Sequence, residues 1–464
     1  VKRAWMGGVI LLVSLAVGST AAPAKTEREL ALEQTVQMLL QRVEQLEKKV
    51  EALSESGSQS APEIEARLSQ VEAAVEKKAT SNTMNVSWKS GLNFATPDNR
   101  IQLKLSGRVH NDWFFGDVDN ADAPDGVRFR RAWLTLSGQL YEDLKFKWQY
   151  DFSGDGKAKW KDVYAQYTGL EWATITIGQF KEPFSLEEMV SANALTFLER
   201  SPVVSLFAPA RETGGMLSGN AFDGRVTWAV GAFRNSDNFG DGFDDEEDED
   251  KAVDGDWDVA TRLTAAPWYE DGGEKLLHLG LAGVHRDWGG DALRYRARGS
   301  YSRGPRLVDT GGFDVEDVNL FGAEAALVLG PLSLQSEYMF ADVNTKDFGS
   351  EDFQGAYIQA SYLLTGEHRP YKGGVFKDIK PLENFSLKDD AWGAWELAAR
   401  YSWLDLEDDD LSGGKLSAFV VGLNWYLNPN ARVMWNYVHS DVDDRAEGDP
   451  DNADLFLMRL QLNF

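Results

Sequence analysis

Two hydrophobic periods divide this chain. Val36, Leu39, Val43, Leu46, Val50 and Leu53 follow one another at steps of three and four, a heptad seam. After a break at Gly57–Pro62, Ile64, Leu68, Val71 and Val75 resume it. Helices this short are marginal alone. The seam therefore predicts a short coiled coil joining chains that another part of the protein holds together. From about Met84 the helical period disappears and period two replaces it. Ile101, Leu103, Leu105, Gly107 and Val109 alternate with Gln102, Lys104, Ser106, Arg108 and His110. Leu144, Phe146, Trp148, Tyr150 and Phe152 alternate with Lys145, Lys147, Gln149, Asp151 and Ser153. The theme returns in segments from 174–180 to 455–464, with aromatics near segment ends such as Trp113, Trp148, Trp172, Trp268, Trp403, Trp425 and Trp435.

Alternation over roughly 380 residues is too much strand for one soluble core. A transmembrane barrel inverts the usual arrangement. Lipid covers the apolar parity, water fills the polar lumen, and closure satisfies every backbone group. The fold class expected is all-β: a sixteen-stranded antiparallel transmembrane β-barrel with a short N-terminal coiled-coil segment. Leu293–Ser300 alternates weakly, and the even strand number usual for such barrels puts it in a loop. Short turns at 328–332 and 426–430 fit the periplasmic side, and long polar stretches fit the outer side. The last residues, LFLMRLQLNF, place Phe456, Met458, Leu460, Leu462 and Phe464 on one face of a strand.

Composition narrows the picture. Cysteine is absent, which excludes disulfides, thiol catalysis and cysteine metal sites. A net charge of −27 argues against nucleic acid as a partner. The start reads Val1, Lys2, Arg3, then an apolar run from Val9 to Val17, then Ala22-Pro23-Ala24, the pattern of a secretory signal peptide cut after Ala24. The expected organisation is a signal peptide at 1–24, a periplasmic coiled-coil segment at 25–80 and a barrel domain at 81–464, in the outer membrane of a bacterial cell.

The candidate chemistry lies on the polar parity. In VRFRRAWLTLSGQLYEDLKFKWQYDFSG (127–154) that parity is led by cations. If Leu144–Phe152 faces lipid, Lys145 and Lys147 face the channel, as do Lys104 and Arg108 on the first strand. Arg131 shares a parity with Trp133, Thr135 and Ser137 and points in. Its neighbour Arg130 points out by parity, unless it lies at the strand's upper end. Cations on a narrow wet wall concentrate anions and repel cations. Asp241–Asp250 reads DGFDDEEDED, eight acids in ten residues, which reads as a solvated outer loop; the alternative, divalent ions bridging its carboxylates to lipopolysaccharide, lacks EF-hand spacing. The five histidines fall in no catalytic or metal motif, and no G-x-S-x-G appears. The expectation is a non-enzyme without metal or cofactor.

These landmarks resemble the phosphate/polyphosphate-selective porin O and P family. The matching stretches are SGRVHND (106–112), FRRAWLTLSG (129–138), YEDLKFKWQYDFS, YTG (167–169), TIGQFKEPFSLEE (176–188), FLER (197–200), LTGEHRPY (364–371), GAWELAARY (393–401), GLNWYLN (422–428) and LMRLQLNF (457–464). The resemblance implies homotrimers of sixteen-stranded barrels, in which barrel contacts override the dimer preference of a Val/Leu seam. It implies a third outer loop folded inward at about Lys181–Arg211, so that Lys181, Glu187, Glu188 and Arg200 lie at the constriction. It carries Arg108, Arg130 and Arg131 over as pore-wall arginines and supports Lys145 and Lys147 as lumen cations. The chain departs from the family at Glu187-Glu188, where phosphate-specific members have a lysine, which argues against phosphate specificity. The implied partners are small anionic solutes, outer-membrane lipid and lipopolysaccharide. The alternatives are a channel for organic acids or other solutes, with Glu187 and Glu188 tuning the constriction, and a mainly structural envelope protein that uses its coiled coil.

Overall fold

The computed structural model describes residues 40–45, 47–49, 69–71, 84–123, 125–153, 159–234, 257–288, 292–443 and 452–464. The chain divides into two compact units, Val1–Thr83 and Met84–Phe464. In the first, the described residues 40–45, 47–49 and 69–71 are helical. The expected signal peptide and cleavage site, most of the heptad seam and the acidic stretch 241–250 lie outside the described residues.

The second unit is the barrel. A short hairpin, β1 (Asn85–Trp88) and β2 (Leu92–Ala95), comes first, followed by β3 (Ile101–Val118), β4 (Asp125–Leu140), β5 (Leu144–Asp151), β6 (Lys159–Tyr167), β7 (Thr174–Lys181), β8 (Arg211–Ala221), β9 (Val226–Arg234), β10 (Trp257–Glu270) and β11 (Lys275–Asp287). Two short strands, β12 (Arg296–Ala297) and β13 (Val308–Asp309), lie in the next loop. The wall continues through β14 (Val315–Leu329), β15 (Leu332–Thr345) and β16 (Gly349–Leu363). A second small pair, β17 (Tyr371–Lys372) and β18 (Val375–Phe376), precedes β19 (Ala394–Asp408), β20 (Leu411–Asn428), β21 (Ala431–Asp443) and β22 (Ala453–Asn463). Neighbours pair antiparallel, and β22 pairs with β3, so sixteen strands close on themselves. The foot of β3 pairs with β2, and Phe464 exchanges backbone hydrogen bonds of 2.8 and 3.0 Å with Gly107. The weak alternation around 293–300 is loop with a two-residue strand, as the even count required.

The burial pattern is inside out. Ile177 and Leu281 are 64% and 65% exposed on the outer face, while Arg400 and Arg459 are 1% and 0% exposed inside. Strands such as β3 and β20, at 18 residues each, run longer than their apolar alternation suggested. In β20 the extra length at the start, LSGGK, is polar, so hydrophobic period alone does not mark it.

The segment 182–210, between β7 and β8, folds into the barrel and carries α1 (Leu186–Met189) and α2 (Pro202–Phe207). A buried loop must satisfy its backbone groups, and here the lumen parity of the far wall does so. Glu337 accepts from the amides of Leu186 and Glu187, both at 2.8 Å. Asn436 accepts from the Leu198 amide at 2.8 Å, Asn424 donates to the Thr196 carbonyl at 2.8 Å, and Arg432 donates to the Leu195 carbonyl at 2.9 Å. Apolar seats complete the fit, because the loop's rings and methyls stand over wall glycines. A Cβ at Gly322 would lie 3.0 Å from the Phe184 ring, one at Gly355 2.9 Å from Val203, and one at Gly422 3.3 Å from Phe197.

The two ends of the barrel do not follow the simple rule of short turns inside and long loops outside. Residues 364–393 join β16 to β19 at the end that carries the short turns, yet they form a long polar segment. This corrects the expectation that such stretches lie outside. The segment turns back into the lumen, where Tyr371 and Phe376 are buried beside Leu186, Val190 and Leu195 of the inward loop. Arg369 donates to Gln335 at 2.7 Å and lies 3.9 Å over the Phe376 ring. Apolar packing against wall and loop outweighs the segment's polar composition.

Filling a glycine seat tests this docking. Gly322→Val should push Phe184 off the wall at a cost of about 1–3 kcal/mol. Limited proteolysis should then cut within 182–210 faster than in the unaltered chain, while the barrel itself resists.

Candidate functional site

Because the inward loop packs on the far wall, open space remains along β3–β8. It forms a cavity of about 570 Å³ between those strands, the loop and residues 375–378. Among the described residues its basic lining is Arg108, Arg130, Arg131, Lys147, Lys161, Lys181, Arg200, Arg211 and Lys377. Its acidic lining is Asp151, Asp162, Glu188, Glu199 and Asp378. Cations thus outnumber carboxylates nine to five.

Both members of the arginine pair enter this space. The β3–β4 register runs His110↔Arg131 and then Asn111↔Phe129, so Arg130 is the extra residue of a β-bulge. The bulge defeats simple alternation and corrects the outward placement that parity gave Arg130. Arg130 Nε lies 2.7 Å from Glu199 Oε1, and Arg131 Nη2 lies 3.6 Å from Glu199 Oε2. Arg459 reaches Glu199 at 3.0 Å and grips Asp112 at 2.6 and 2.8 Å. Burial alone would raise the Glu199 carboxyl, but Arg130, Arg131 and Arg459 hold it well below the usual carboxylate range. A depressed carboxyl contributes its stability above the unfolded value and loses it only as pH falls through the folded one, so this anchor stays charged at neutral pH.

A second bulge works the same way in β6. Trp148 pairs with Val163 and Tyr150 with Trp160, which leaves Lys161 and Asp162 together opposite Gln149. Both line the cavity. Asp162 bridges Lys147 and, at 2.5 Å, Arg211. Lys161 was not evident from period two because the bulge gives it the lumen side.

The loop carboxylates have separate fates. Glu188 lies between Lys181, at 3.0 Å, and Arg200, at 2.9 Å. Burial would raise it, but Arg200 and Lys181 lower it below the usual range. Glu187 turns away from the cavity, meeting Arg400 at 3.2 Å and accepting from the Ser201 amide at 2.9 Å. Among the described residues, three of the lining cations make no ion pair: Arg108, Lys161 and Lys377. Arg108 stacks 4.6 Å from the Trp133 ring centre and reaches Ser191 at 3.4 Å. Lys104 and Lys145 hold the lumen parity but do not line the cavity. Lys104 packs beside Gly91 at the foot of the wall, and Lys145 is exposed beside the turn that starts β5.

Two further cavities adjoin this one. An outer one of about 190 Å³ shares Arg130, Glu199 and Arg200 and adds Arg296, Arg298 and Arg306 from the loop that holds β12 and β13. An inner one of about 770 Å³ shares Met189 and Met216 and extends toward the short-turn end. The three make a path along one side of the lumen.

The model of the family described as phosphate-selective porin O and P matches residues 103–464. The chain belongs to that family. Porin O of Pseudomonas aeruginosa is 29% identical over 426 residues, spanning 82% of this chain and 92% of the relative. An uncharacterised protein of Caulobacter vibrioides is 26% identical over 500 residues, spanning 98% and 96%. Among solved structures, the anion-selective porin from Comamonas acidovorans superposes with a TM-score of 0.50 at 12% identity, over 78% of this chain and all of that one. A loop-deletion form of OmpT from Vibrio cholerae gives 0.50 at 11% identity, over 79% and 100%. The family and the fold make this porin a bacterial outer-membrane protein.

The arginine cluster predicts a clear response to Glu199→Gln. Removing one partner of a buried, bonded ion pair costs about 3–5 kcal/mol. Amides around Leu198 should exchange hydrogen at least about tenfold faster, since 1.4 kcal/mol already gives that factor, and the zero-current potential in a salt gradient should move toward stronger anion preference.

Proposed function

We propose that this porin is a passive, anion-leaning diffusion channel. The observation that carries the reading is the excess of cations along the open side of the lumen, three of them without an ion pair among the described residues. Two unit charges ~4 Å apart interact by about 1 kcal/mol in bulk water and about 4 kcal/mol at an effective dielectric near 20. A few such contacts in series draw anions in, and the interleaved carboxylates keep any one contact weak enough to release them. No bond chemistry or energy input is required.

Phosphate belongs among the anions this channel admits, without the lumen being dedicated to it. Glu187 and Glu188, which depart from the phosphate-specific pattern, are both neutralised by arginine or lysine. Their repulsion of a passing dianion is correspondingly reduced. The chain acts as a homotrimer in this reading. OmpT of Vibrio cholerae, whose barrel is similar, has been described in a trimer form, and the heptad seam suits chains held together by their barrels.

The test is the zero-current potential of the purified porin in a planar bilayer under a KCl gradient. The unaltered chain should prefer chloride, and Arg108→Ala with Lys161→Ala should lower that preference several-fold. Cation preference in the unaltered chain would overturn the reading. Phosphate added to the same bilayer should reduce chloride current measurably.

A further inference from the structure

The inner cavity differs in kind from the cation-lined passage it continues. Met216, Ser218 and Asn220 follow one another down the lumen parity of β8 and all line it, so it lies on the short-turn side of the constriction. Its walls include Met189, Met216, Pro183, Ala266, Tyr269 and Tyr371. Tyr371 comes from the segment that turns back into the lumen, and its hydroxyl is already engaged with His278 at 2.7 Å, which leaves the ring as its contribution. That segment is held close to the wall at Gly374, where φ is +75° and a Cβ would lie 2.8 Å from Thr227 and 2.9 Å from Thr264. One lining arginine, Arg262, is neutralised by a two-point bond to Glu324 at 2.7 Å. Arg225 and Lys372 also line the chamber and make no ion pair among the described residues. Asp223 is there as well.

A small inorganic anion gains nothing from thioether and ring surface. A carboxylate on an apolar body gains from both parts of the path: its head group stays on cations of the constriction or of the chamber while its body leaves water. The volume of about 770 Å³ lies within the usual range for small-molecule sites. We infer that the inner cavity is a binding site for organic anions with an aromatic or compact apolar body, occupied during passage. This rests on the anion-leaning reading and adds a preference among the anions admitted.

The experiment uses the full chain in planar bilayers, measuring block of chloride current by phenylacetate, acetate and inorganic phosphate. Phenylacetate and acetate share a head group and differ in the ring. Phenylacetate should block at a concentration about tenfold lower than acetate, since burying one apolar group of this size is worth about that factor or more. Tyr269→Ser should reduce the ratio toward one, and Met216→Gln should do so at nearly constant side-chain volume. Chloride conductance shows in each case that the channel has assembled. Equal block by the two carboxylates in an anion-preferring channel would overturn the inference and leave the anion channel standing. A ratio unmoved by both substitutions would place the apolar contact elsewhere and overturn the assignment. Absence of anion preference under a KCl gradient would instead remove the reading on which it rests.

Discussion

The seating of residues 182–210 against one half of the wall is the constraint from which the passage follows. Backbone inside a closed barrel has no strand partner, and burying it unbonded is expensive. Here the cost is met by side chains of the wall. Glu337, Asn424, Asn436 and Arg432 each bond a loop amide or carbonyl. Ion pairs such as Arg400–Glu187 and Arg459–Glu199 add to this. A buried ion pair repays its desolvation only with good geometry and additional hydrogen bonds. Arg459 has these, with two oxygens of Asp112 and one of Glu199 around it. Much of the polar lumen parity is therefore a receptor for the loop rather than a lining for water.

That asymmetry also explains a cationic passage in a chain whose net charge is −27. Charges in solvent are screened beyond about 10 Å at 0.1 M salt. An ion inside the lumen responds mainly to the groups around it, and the loop has left it the side lined by β3–β8. The cations noticed on the first three wall strands mark the open half of the barrel. On the opposite half, Arg400 and Arg432 are also arginines, but they are spent on the loop.

How much of this was legible follows from what period two encodes. Alternation specifies a face, so it read the barrel, its closure on an even strand number, and the inward direction of Arg108, Arg131 and Lys147. It does not specify depth, and Lys104 and Lys145 share the right face at the wrong level. It fails wherever a residue is inserted, and the two bulges bring Arg130 and Lys161 into the lumen with no mark in composition. The segment 364–393 departs from the rule that long polar stretches lie outside for another reason. A polar composition describes a loop's average, whereas its position is decided by a few apolar residues, here Tyr371 and Phe376, with Gly373 and Gly374 at positive φ allowing the turn between them. An aromatic on each side of a Gly-Gly pair within a polar stretch was the available signal.

The division between committed and uncommitted cations bears on why the proposed passive channel carries so many carboxylates along its cation-lined cavity. A wall of free arginines and lysines would bind an anion tightly and release it slowly. Conduction instead needs attraction strong enough for entry and contacts weak enough for exit. Asp162 and Glu188 each bridge two cations, so they fix long side chains in place and reduce the local charge without reversing it. Among the described residues Arg108, Lys161 and Lys377 stay outside these ion pairs, the cations that the proposed reading offers to a passing anion. On this view the acidic residues at the constriction do not oppose anion transport. In the proposed anion channel their part is to set its rate, by turning what would be a trap into a series of shallow steps.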